Sequence, residues 1–250
     1  NNKGEENETM KKILALVLVL IMALGLAACA APAAPAEEPT PAAEPETEKV
    51  DSQVILAELK TPAEESNWER TTSSQEVIDF LKVVAEHSAG RIILDTTTFA
   101  TEAGTPISYM IISDVAPASP ADVPEDKGVV YVNCNIHSGE IEGKESMMIF
   151  AREVAQGKHD DLLKDLVVII VPNSNPDGND NLGKNRITTQ FTPKLVGTRA
   201  EGNGLNVNRD MTKLETACGR TIVKLMNDWN PILFIDAHAT DGSYMRHAVT

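Results

Sequence analysis

The sequence YVNCNIHSGEIEGKE, residues 131–145, decides the fold and carries the first chemical signal. Its first residues continue the apolar run that begins at Val129, and its last residues favour a helix, so the stretch predicts a strand that leads directly into a helix. His137 and Glu140 lie at this junction. If their spacing falls in a tight turn or a first helical turn, the imidazole and the carboxylate share a face and can bind one divalent ion. Taken alone, the same pattern is also typical of an exposed histidine beside an acidic helix start.

The segments on either side predict helices that alternate with apolar strands. Residues 71–88 favour a helix, with Ser73 and Glu76 at the spacing of a capping box. The pattern also predicts a β-hairpin at residues 91–97 and 107–113, strands at 129–134, 166–171 and 231–235, and helices at 141–156 and 213–229. The last of these strands is expected to be short and buried. Together they predict an α/β domain with a mixed, largely parallel central sheet flanked by helices.

Polar side chains follow three of the predicted strands. His137 and Glu140 follow the first, the segment 173–178 follows the second, and Asp236 and His238 follow the third. In open α/β sheets, ligands bind beyond the carboxyl ends of the strands. Two imidazoles and one carboxylate at these ends form a three-ligand set for zinc that leaves a fourth position for water or substrate. Asp236 is interpreted either as a partner that orients a ligand or as a strand-end cap.

Two further motifs each allow a structural and a functional interpretation. The sequence NPDG at residues 175–178 fits a tight turn, because Pro and Gly suit turn positions and Asp caps them. The Gly-rich loop at residues 197–210 contains Arg199, Asn208 and Arg209. Arginines in loops are usually solvated, but a polar, glycine-rich loop can also hold an anion clamp beside a cleft.

The charge balance excludes one class of partner. The chain has 250 residues, with 22 Lys plus Arg against 37 Asp plus Glu, and a formal net charge of −15. No basic stripe is present, so nucleic acid is not expected as a partner. The acidic excess favours solubility, whereas a site for acidic substrates would need local positive charge.

The N-terminus predicts export and a lipid anchor. Met10, Lys11 and Lys12 precede an apolar run at residues 13–26, which has the length of a signal-peptide core and is short for a membrane span. The small residues that follow end in Cys29 and resemble a bacterial lipoprotein lipobox. Acylation at this cysteine would anchor the protein in the cell envelope, facing outside the cytoplasm.

The rest of the chain divides into three predicted regions: residues 1–29 as upstream residues and signal peptide, 30–50 as a tether, and 51–250 as the folded domain. The tether is composed almost wholly of Ala, Pro, Glu and Thr, which cannot bury enough apolar surface to fold. A disulfide between Cys134 and Cys218 has no support from their spacing alone.

Four ordered pieces of the sequence together resemble the zinc carboxypeptidase family. They are HSGE at 137–140, NPDG at 175–178, GLNVNR at 204–209 and DAH at 236–238. The resemblance extends from about residue 71 to residue 250. It implies the family's fold, a zinc peptidase activity and a peptide substrate.

The resemblance also implies a role for each matching residue. One zinc ion would be held by three side chains: His137, Glu140 and His238. Asn208 and Arg209 would bind the terminal carboxylate of the substrate. A further arginine would polarise the scissile carbonyl, and Arg199, nine residues before Asn208, is preferred over Arg186 for this role. Removing one well-aimed oxyanion donor typically lowers the rate on the order of 10²- to 10³-fold.

The sequence departs from the family pattern at two places. Asn206 stands where the family usually has an aspartate that orients the first zinc histidine, which lowers the expected zinc affinity. The family pattern also places the general-base glutamate, and the residues that read the substrate side chain, further on than Thr250. We therefore expect a C-terminally incomplete sheet and an inactive fragment, with Glu142 and Glu145 pointing away from the site.

The combined pattern predicts a metallocarboxypeptidase that hydrolyses C-terminal residues of peptides with a zinc-activated water. An amidase of the same fold that trims cell-wall stem peptides is an alternative suited to an outward-facing lipoprotein. A lipoprotein that binds peptide or metal without catalysis is a third interpretation, and it would be favoured if no glutamate base lies near the zinc.

Overall fold

The computed structural model describes residues 51–187 and 190–239. The predicted signal peptide, Cys29 and the predicted tether lie outside the described residues. The strands are β1 Ile92–Asp95, β2 Tyr109–Ile112, β3 Gly128–Cys134, β4 Leu166–Val171, β5 Gly183–Lys184, β6 Leu195–Val196 and β7 Leu233–Ala237. The helices are α1 Ser52–Glu58, α2 Pro62–Glu65, α3 Ser74–Glu86, α4 Glu142–Ala155, α5 Asp160–Leu163, α6 Pro176–Asp180 and α7 Ala217–Trp229. Short 3₁₀ helices lie at Pro120–Asp122 and Val207–Arg209.

The central sheet has the strand order β1-β2-β4-β3-β7. Strand β3 pairs in parallel with both β4 and β7, whereas β1, β2 and β4 pair antiparallel. The predicted α/β class with a mixed sheet is therefore confirmed, and the parallel part is the half that leads to the predicted ligands. Strands β5 and β6 form a separate two-stranded hairpin.

Helices cover both faces of the sheet, which explains the continuous apolar run of β4. On one face, Val168 and Ile170 pack in a core with side chains of α1, α3 and α4. On the other face, Val167, Ile169 and Val171 pack in a core with α7. A strand with both faces covered needs apolar residues at every position. Full burial of one such side chain contributes about 1.5–3 kcal/mol, so these cores hold the strand ends in place.

Helix α3 begins as the sequence predicts, but α7 begins later. Ser73 and Glu76 form the capping box at the start of α3. The helix expected from residue 213 begins at Ala217, because the carboxylate of Asp210 accepts hydrogen bonds from the backbone N–H groups of Glu215 and Thr216. Those donors are satisfied outside a helix, so the preceding residues form a turn instead.

The expectation that the strand near residues 231–235 is buried was wrong. Within the described residues, β7 pairs only with β3 and lies at the edge of the sheet. Ile232, Leu233 and Ile235 are exposed. Cys134 and Cys218 are both buried and free. Over the described ranges, no helix combines the length and the apolar character that a membrane span requires.

Candidate active site

The first two predicted ligands lie in a tight turn between β3 and α4. The backbone N–H of Glu140 donates to the carbonyl of His137 over 2.9 Å, which closes the turn. Asn135, in the left-handed region with φ 62°, reverses the chain just after β3. Its side-chain amide donates to Asn173 and Asn179 over 2.8 and 3.0 Å. The two ligand side chains therefore share a face, and Nδ1 of His137 lies 2.9 Å from Oε1 of Glu140.

The third predicted ligand reaches the same point through the pairing of β7 with β3. Cys134 is opposite Ala237 in this parallel pair, so His238 follows the strand beside the turn. Nδ1 of His238 lies 2.8 Å from Oε2 of Glu140. The ligand atoms of His137, Glu140 and His238 all lie within 4.8 Å of one another. The fold thus brings together the three residues that the sequence assigned to a metal.

Hydrogen bonds at Nε2 of each imidazole hold its Nδ1 atom toward Glu140. Nε2 of His137 lies 3.1 Å from Oδ1 of Asn206, and Nε2 of His238 lies 2.9 Å from Oδ2 of Asp236. The side-chain amide of Asn133 in turn donates to Asp236 over 3.0 Å. Such partners fix the ring orientation and the tautomer of metal-binding histidines. Asp236 therefore contacts and orients His238, a predicted ligand, in agreement with one of its two interpretations.

The electrostatics of the group favour a bound cation. Burial raises the pKa of Glu140, but hydrogen bonds from His137, His238 and the backbone N–H of Ala239 outweigh it and lower the pKa to about 2. The hydrogen bond to Asp236, followed by that to Glu140, raises the pKa of His238 to about 9. A proton on His238 would offset part of the negative charge of Glu140 and Asp236, and a metal ion bound at Nδ1 would displace that proton.

The donor set fits zinc. Two imidazole nitrogens and one carboxylate oxygen, each oriented by a further hydrogen-bond partner, form the set typical of catalytic zinc, in which a fourth position is left for water or substrate. The unprotonated Nδ1 atoms that zinc requires are consistent with the outer contacts, because Asn206 and Asp236 both present oxygen atoms to Nε2–H. The residues that would hold the ion are His137, Glu140 and His238.

Arg199 lies beside the ligands. Its Nη1 is 3.0 Å from Nε2 of His137, and its Nη2 is 3.5 Å from Oε1 of Glu140. If Nδ1 of His137 bound a metal, the proton of the neutral imidazole would lie on Nε2 and be donated to Asn206. Nε2 could then not accept a hydrogen bond from Arg199. The guanidinium is then available to a substrate. Its side chain is 55% exposed, so it can turn into the cleft.

The NPDG motif holds the backbone on which Arg199 stands. Gly178 accepts at its carbonyl from the N–H of Thr198 over 2.8 Å. A Cβ atom on Gly178 would lie 2.7 Å from the carbonyl oxygens of both Thr198 and Ala200, so only glycine allows this approach. The side chain of Asn175 caps α6 and also donates to the carbonyl of Arg199 over 3.4 Å. The motif is a capped turn, as one interpretation held, and it positions a predicted catalytic residue.

Asn208 and Arg209 are connected to the ligands through Asn206. The side-chain oxygen of Asn206 accepts from the backbone N–H of Asn208 over 3.0 Å, as well as facing His137. Arg209 is exposed, and its guanidinium donates to the carbonyl of Asn208 over 2.7 Å. The predicted anion clamp therefore lies on the outer side of Asn206, and it is not among the residues that line the cleft at Arg199.

A cleft with a volume of about 470 Å³ opens beside the ligands. His137, Glu140 and Arg199 line it, together with Lys184 and Arg186 from the β5–β6 hairpin. The sequence proposed Arg186 only as an alternative to Arg199 and gave no role to the neighbouring Lys184. The basic pair in LGKNR at residues 182–186 was the available signal, but only the fold shows that it faces the cleft.

Glu145 points away from the site, as predicted. Its carboxylate accepts from the hydroxyls of Thr71 and Thr72 and from the backbone N–H of Thr72 over 2.7–3.1 Å. Lys144, also buried, donates to Thr71 and to the carbonyl of Thr72. These contacts tie the chain before α3 to helix α4. Glu145 therefore has a structural role in the described structure.

Comparison with known proteins agrees with this geometry. The sequence model for the zinc carboxypeptidase peptidases matches residues 79–221, more than half of the chain. The fold is similar to that of a metallo-carboxypeptidase from Burkholderia cenocepacia, with a TM-score of 0.53 and 19% identity over 69% of this chain and 42% of that chain. It is also similar to bovine thrombin-activatable fibrinolysis inhibitor, with a TM-score of 0.53 and 15% identity over 70% of this chain and 62% of that chain.

At these sequence identities the structural similarity shows a shared fold and nothing further. The chain spans 42% of the length of the first protein and 62% of the length of the second. A comparison with curated proteins finds no match. The matched region contains His137, Glu140 and Arg199. The chain belongs to the zinc carboxypeptidase family.

Proposed function

We propose that the protein is a zinc-dependent metallocarboxypeptidase that removes C-terminal residues from peptides. The observation that carries the proposal is the position of two imidazole Nδ1 atoms, from His137 and His238, at 2.9 and 2.8 Å from the two oxygens of Glu140. Three donors that converge from two distant segments, with a separate orienting partner for each imidazole, support a metal-binding role.

The bound zinc would supply a water whose pKa is lowered to about 7. Arg199 would hold the substrate carbonyl and stabilise the oxyanion that develops on it. Asn206 would keep His137 in the tautomer that leaves Nδ1 free. We assign no general base among the residues that the structure describes, because Glu140 is engaged with both histidines and Glu145 with Thr71 and Thr72.

Asn208 and Arg209 would bind the terminal carboxylate of the peptide. Arg209 is exposed, and a guanidinium can bind a carboxylate through two parallel hydrogen bonds. Its link through Asn206 to His137 would place the end of the peptide at a constant distance from the ligands. A requirement for a free carboxylate favours exopeptidase over endopeptidase action.

The test is the zinc content of the full-length gene product lacking residues 1–29, measured by elemental analysis. We expect about one zinc per chain in the wild type, loss of zinc in the His137→Ala, His238→Ala double variant, and retention in His159→Ala. His159 is the matched control because it pairs with Glu153 away from the site. Absence of zinc from folded wild-type protein would overturn the metallopeptidase proposal.

The requirement for a free C-terminal carboxylate is tested with pairs of peptides that differ only at the C-terminus. Hydrolysis of the peptide with a free carboxylate, and none of its amidated counterpart, is the expected result. Cleavage of both at equal rates would contradict an exopeptidase. Cell-wall stem peptides form a second substrate panel, because the amidase alternative requires their cleavage.

We further propose that the protein is anchored in the cell envelope through Cys29 and faces outside the cytoplasm. The support is the apolar run at residues 13–26 followed by small residues and a cysteine. Metabolic labelling with a fatty acid should label the wild-type protein and not Cys29→Ser. Equal labelling of both proteins would contradict the anchor.

A further inference from the structure

We propose that the cleft beside the ligands selects peptides with a carboxylate on the amino side of the scissile bond. This inference rests on the proposed function, since it names a class of substrate for the same site. Its basis is a group of three cations, Lys184, Arg186 and Arg199, in a cleft of about 470 Å³ that also contains His137 and Glu140. The net charge of the whole chain is −15, so this group is a local cluster of positive charge in an acidic protein.

The positive charge of this cleft is not cancelled by its own lining. Glu140 is the acidic residue that lines it, and its carboxylate is shared between His137 and His238. Arg199 makes a contact of 3.5 Å with that same carboxylate. Lys184 and Arg186 are both exposed. A low-dielectric cleft lined by charges of one sign raises the local concentration of ligands of the other sign.

Lys184 and Arg186 also differ from most cations of the described chain. Neither forms an ion pair with any residue within 51–187 or 190–239, whereas other lysines and arginines do: Arg70, Arg91, Lys127, Lys144, Arg152, Lys158, Lys164, Arg199, Lys213, Arg220 and Lys224. Two such cations side by side on one wall are available to a ligand carboxylate. Arginine can bind it through two hydrogen bonds, and lysine as a point charge.

The hairpin that carries this pair is tied to the ligand turn. Gln190 donates from its side-chain amide to the carbonyl of Gly139 over 3.1 Å. The side-chain amide of Asn185, which stands between the two cations, donates to the carbonyls of Gln190 and Pro193 over 3.1 and 2.9 Å. The cationic wall is therefore held at a defined place relative to His137 and Glu140, as a specificity element requires.

The geometry also indicates which part of a peptide meets this wall. Asn208 and Arg209, the proposed clamp for the terminal carboxylate, do not line the cleft. A peptide whose C-terminus lies at the clamp would therefore direct its amino side toward Lys184 and Arg186. The carboxylate can belong to an α-linked Asp or Glu, or it can be the free α-carboxylate of a γ-linked glutamate. Both sources present the same chemistry to the wall.

The test compares peptides that carry Glu or Gln immediately before the scissile bond, with blocked N-termini and the same C-terminal residue. We expect a kcat/KM ratio of about three- to tenfold in favour of Glu, the effect of one or two partly exposed ion pairs. The ratio should fall to about one in the Lys184→Gln, Arg186→Gln double variant. It should also fall at high salt, because exposed charges are screened.

Lys194→Gln is the matched control. Lys194 stands on the same hairpin and is exposed, but it lines a different cleft with Leu182 and Leu195. The same loss of charge there should leave the ratio as in the wild type. The variants Lys184→Glu and Arg186→Glu, which reverse the charge, should shift the preference toward Gln. A third peptide, with γ-linked glutamate, distinguishes the two sources of the carboxylate.

A binding measurement separates this inference from the proposed function. Fluorescein-labelled Glu and Gln peptides are titrated with zinc-free protein, and the ratio of their dissociation constants is compared between the wild type, the double variant and Lys194→Gln. A Glu preference that the double variant loses supports the inference even if no peptide is hydrolysed, and the hydrolysis proposal would then fail alone. The inference is overturned if the Glu and Gln peptides are hydrolysed with equal kcat/KM. It is also overturned if the Glu preference persists in the double variant, or if neither peptide binds.

Discussion

Asn206 connects the two halves of the candidate site at the scale of a single residue. One oxygen accepts from the backbone N–H of Asn208 over 3.0 Å and lies 3.1 Å from Nε2 of His137. An amide oxygen is a weaker acceptor for the imidazole than a carboxylate, because the latter forms a charge-assisted hydrogen bond. The affinity of the proposed zinc site would therefore be limited by a residue that is not one of its ligands.

We predict that Asn206→Asp raises the affinity for zinc by roughly tenfold, since outer partners of metal ligands typically change affinity by 10- to 100-fold. The measurement is a titration against a competing chelator. Asn203→Asp is the control, because Asn203 lies in the same loop but caps only the N–H of Leu205. An equal gain in both variants would show that added negative charge alone is responsible.

Arg199 is the second residue with a separable effect. We predict that Arg199→Gln lowers kcat/KM on the order of 10²- to 10³-fold while zinc content stays at about one per chain, because the proposed role of this side chain is to stabilise the oxyanion and it is not one of the three predicted ligands. Arg186→Gln should lower it far less on neutral peptides. A larger loss in Arg186→Gln than in Arg199→Gln would reverse the assignment of the oxyanion residue.

At the scale of elements, the contact between α4 and the parallel strands positions the ligands. Gly143 lies in the first turn of α4, and a Cβ atom there would lie 2.9 Å from Cβ of Ala237 and 3.2 Å from Cβ and Sγ of Cys134. Ala237 directly precedes His238 on β7. The close approach of helix and strands therefore determines the separation between Glu140 and His238.

We predict that Gly143→Ala lowers the free energy of unfolding by about 1–3 kcal/mol, the usual cost of overpacking, and weakens zinc binding as β7 shifts. Chemical denaturation and chelator titration measure the two effects. Gly183→Ala is the control because its Cβ would meet nothing within 4 Å. An unchanged zinc affinity in a destabilised Gly143→Ala protein would contradict the link between this contact and His238.

Lys144 joins α4 to two other segments and makes a prediction about pH. Burial lowers its pKa to about 8, against the opposing effect of Glu145. Between pH 8 and about 10.4, the unfolded chain binds more protons at this residue, so its contribution to the free energy of unfolding rises with pH, by roughly 1–3 kcal/mol in total. Below pH 8 the contribution is constant.

Urea denaturation of the wild type and Lys144→Met from pH 7 to 10 measures this contribution. It is the difference between their free energies of unfolding at each pH. The difference should increase in favour of the wild type as the pH rises through 8. Lys82→Met, at an exposed position on α3, should show no such trend. A flat difference for Lys144→Met would contradict the lowered pKa.

At the scale of the whole molecule, the ligands come from segments about a hundred residues apart. His137 and Glu140 follow β3, and His238 follows β7. Only the folded chain brings their donor atoms within 4.8 Å of one another. A metal ion that binds this arrangement stabilises the folded state as a whole.

We predict that free zinc at 100 times its dissociation constant raises the unfolding free energy by about 2.7 kcal/mol. Denaturation with and without a chelator measures the gain, and the His137→Ala, His238→Ala variant should show none. If the chelator leaves the wild-type transition unchanged after zinc removal is verified, the ion is not coupled to the fold.

The sequence alone predicted the strands of the central sheet, the three longest helices, the mixed α/β class and the three ligand candidates, because apolar periodicity and strand-end polar residues depend on neighbours along the chain. Local spacing also identified the capping box at Ser73. Only the tertiary structure decided the exposure of β7 and the position of Lys184 and Arg186 on the wall of the cleft. Those features depend on which segments pack side by side, and pairing between distant segments leaves no periodic pattern in the sequence.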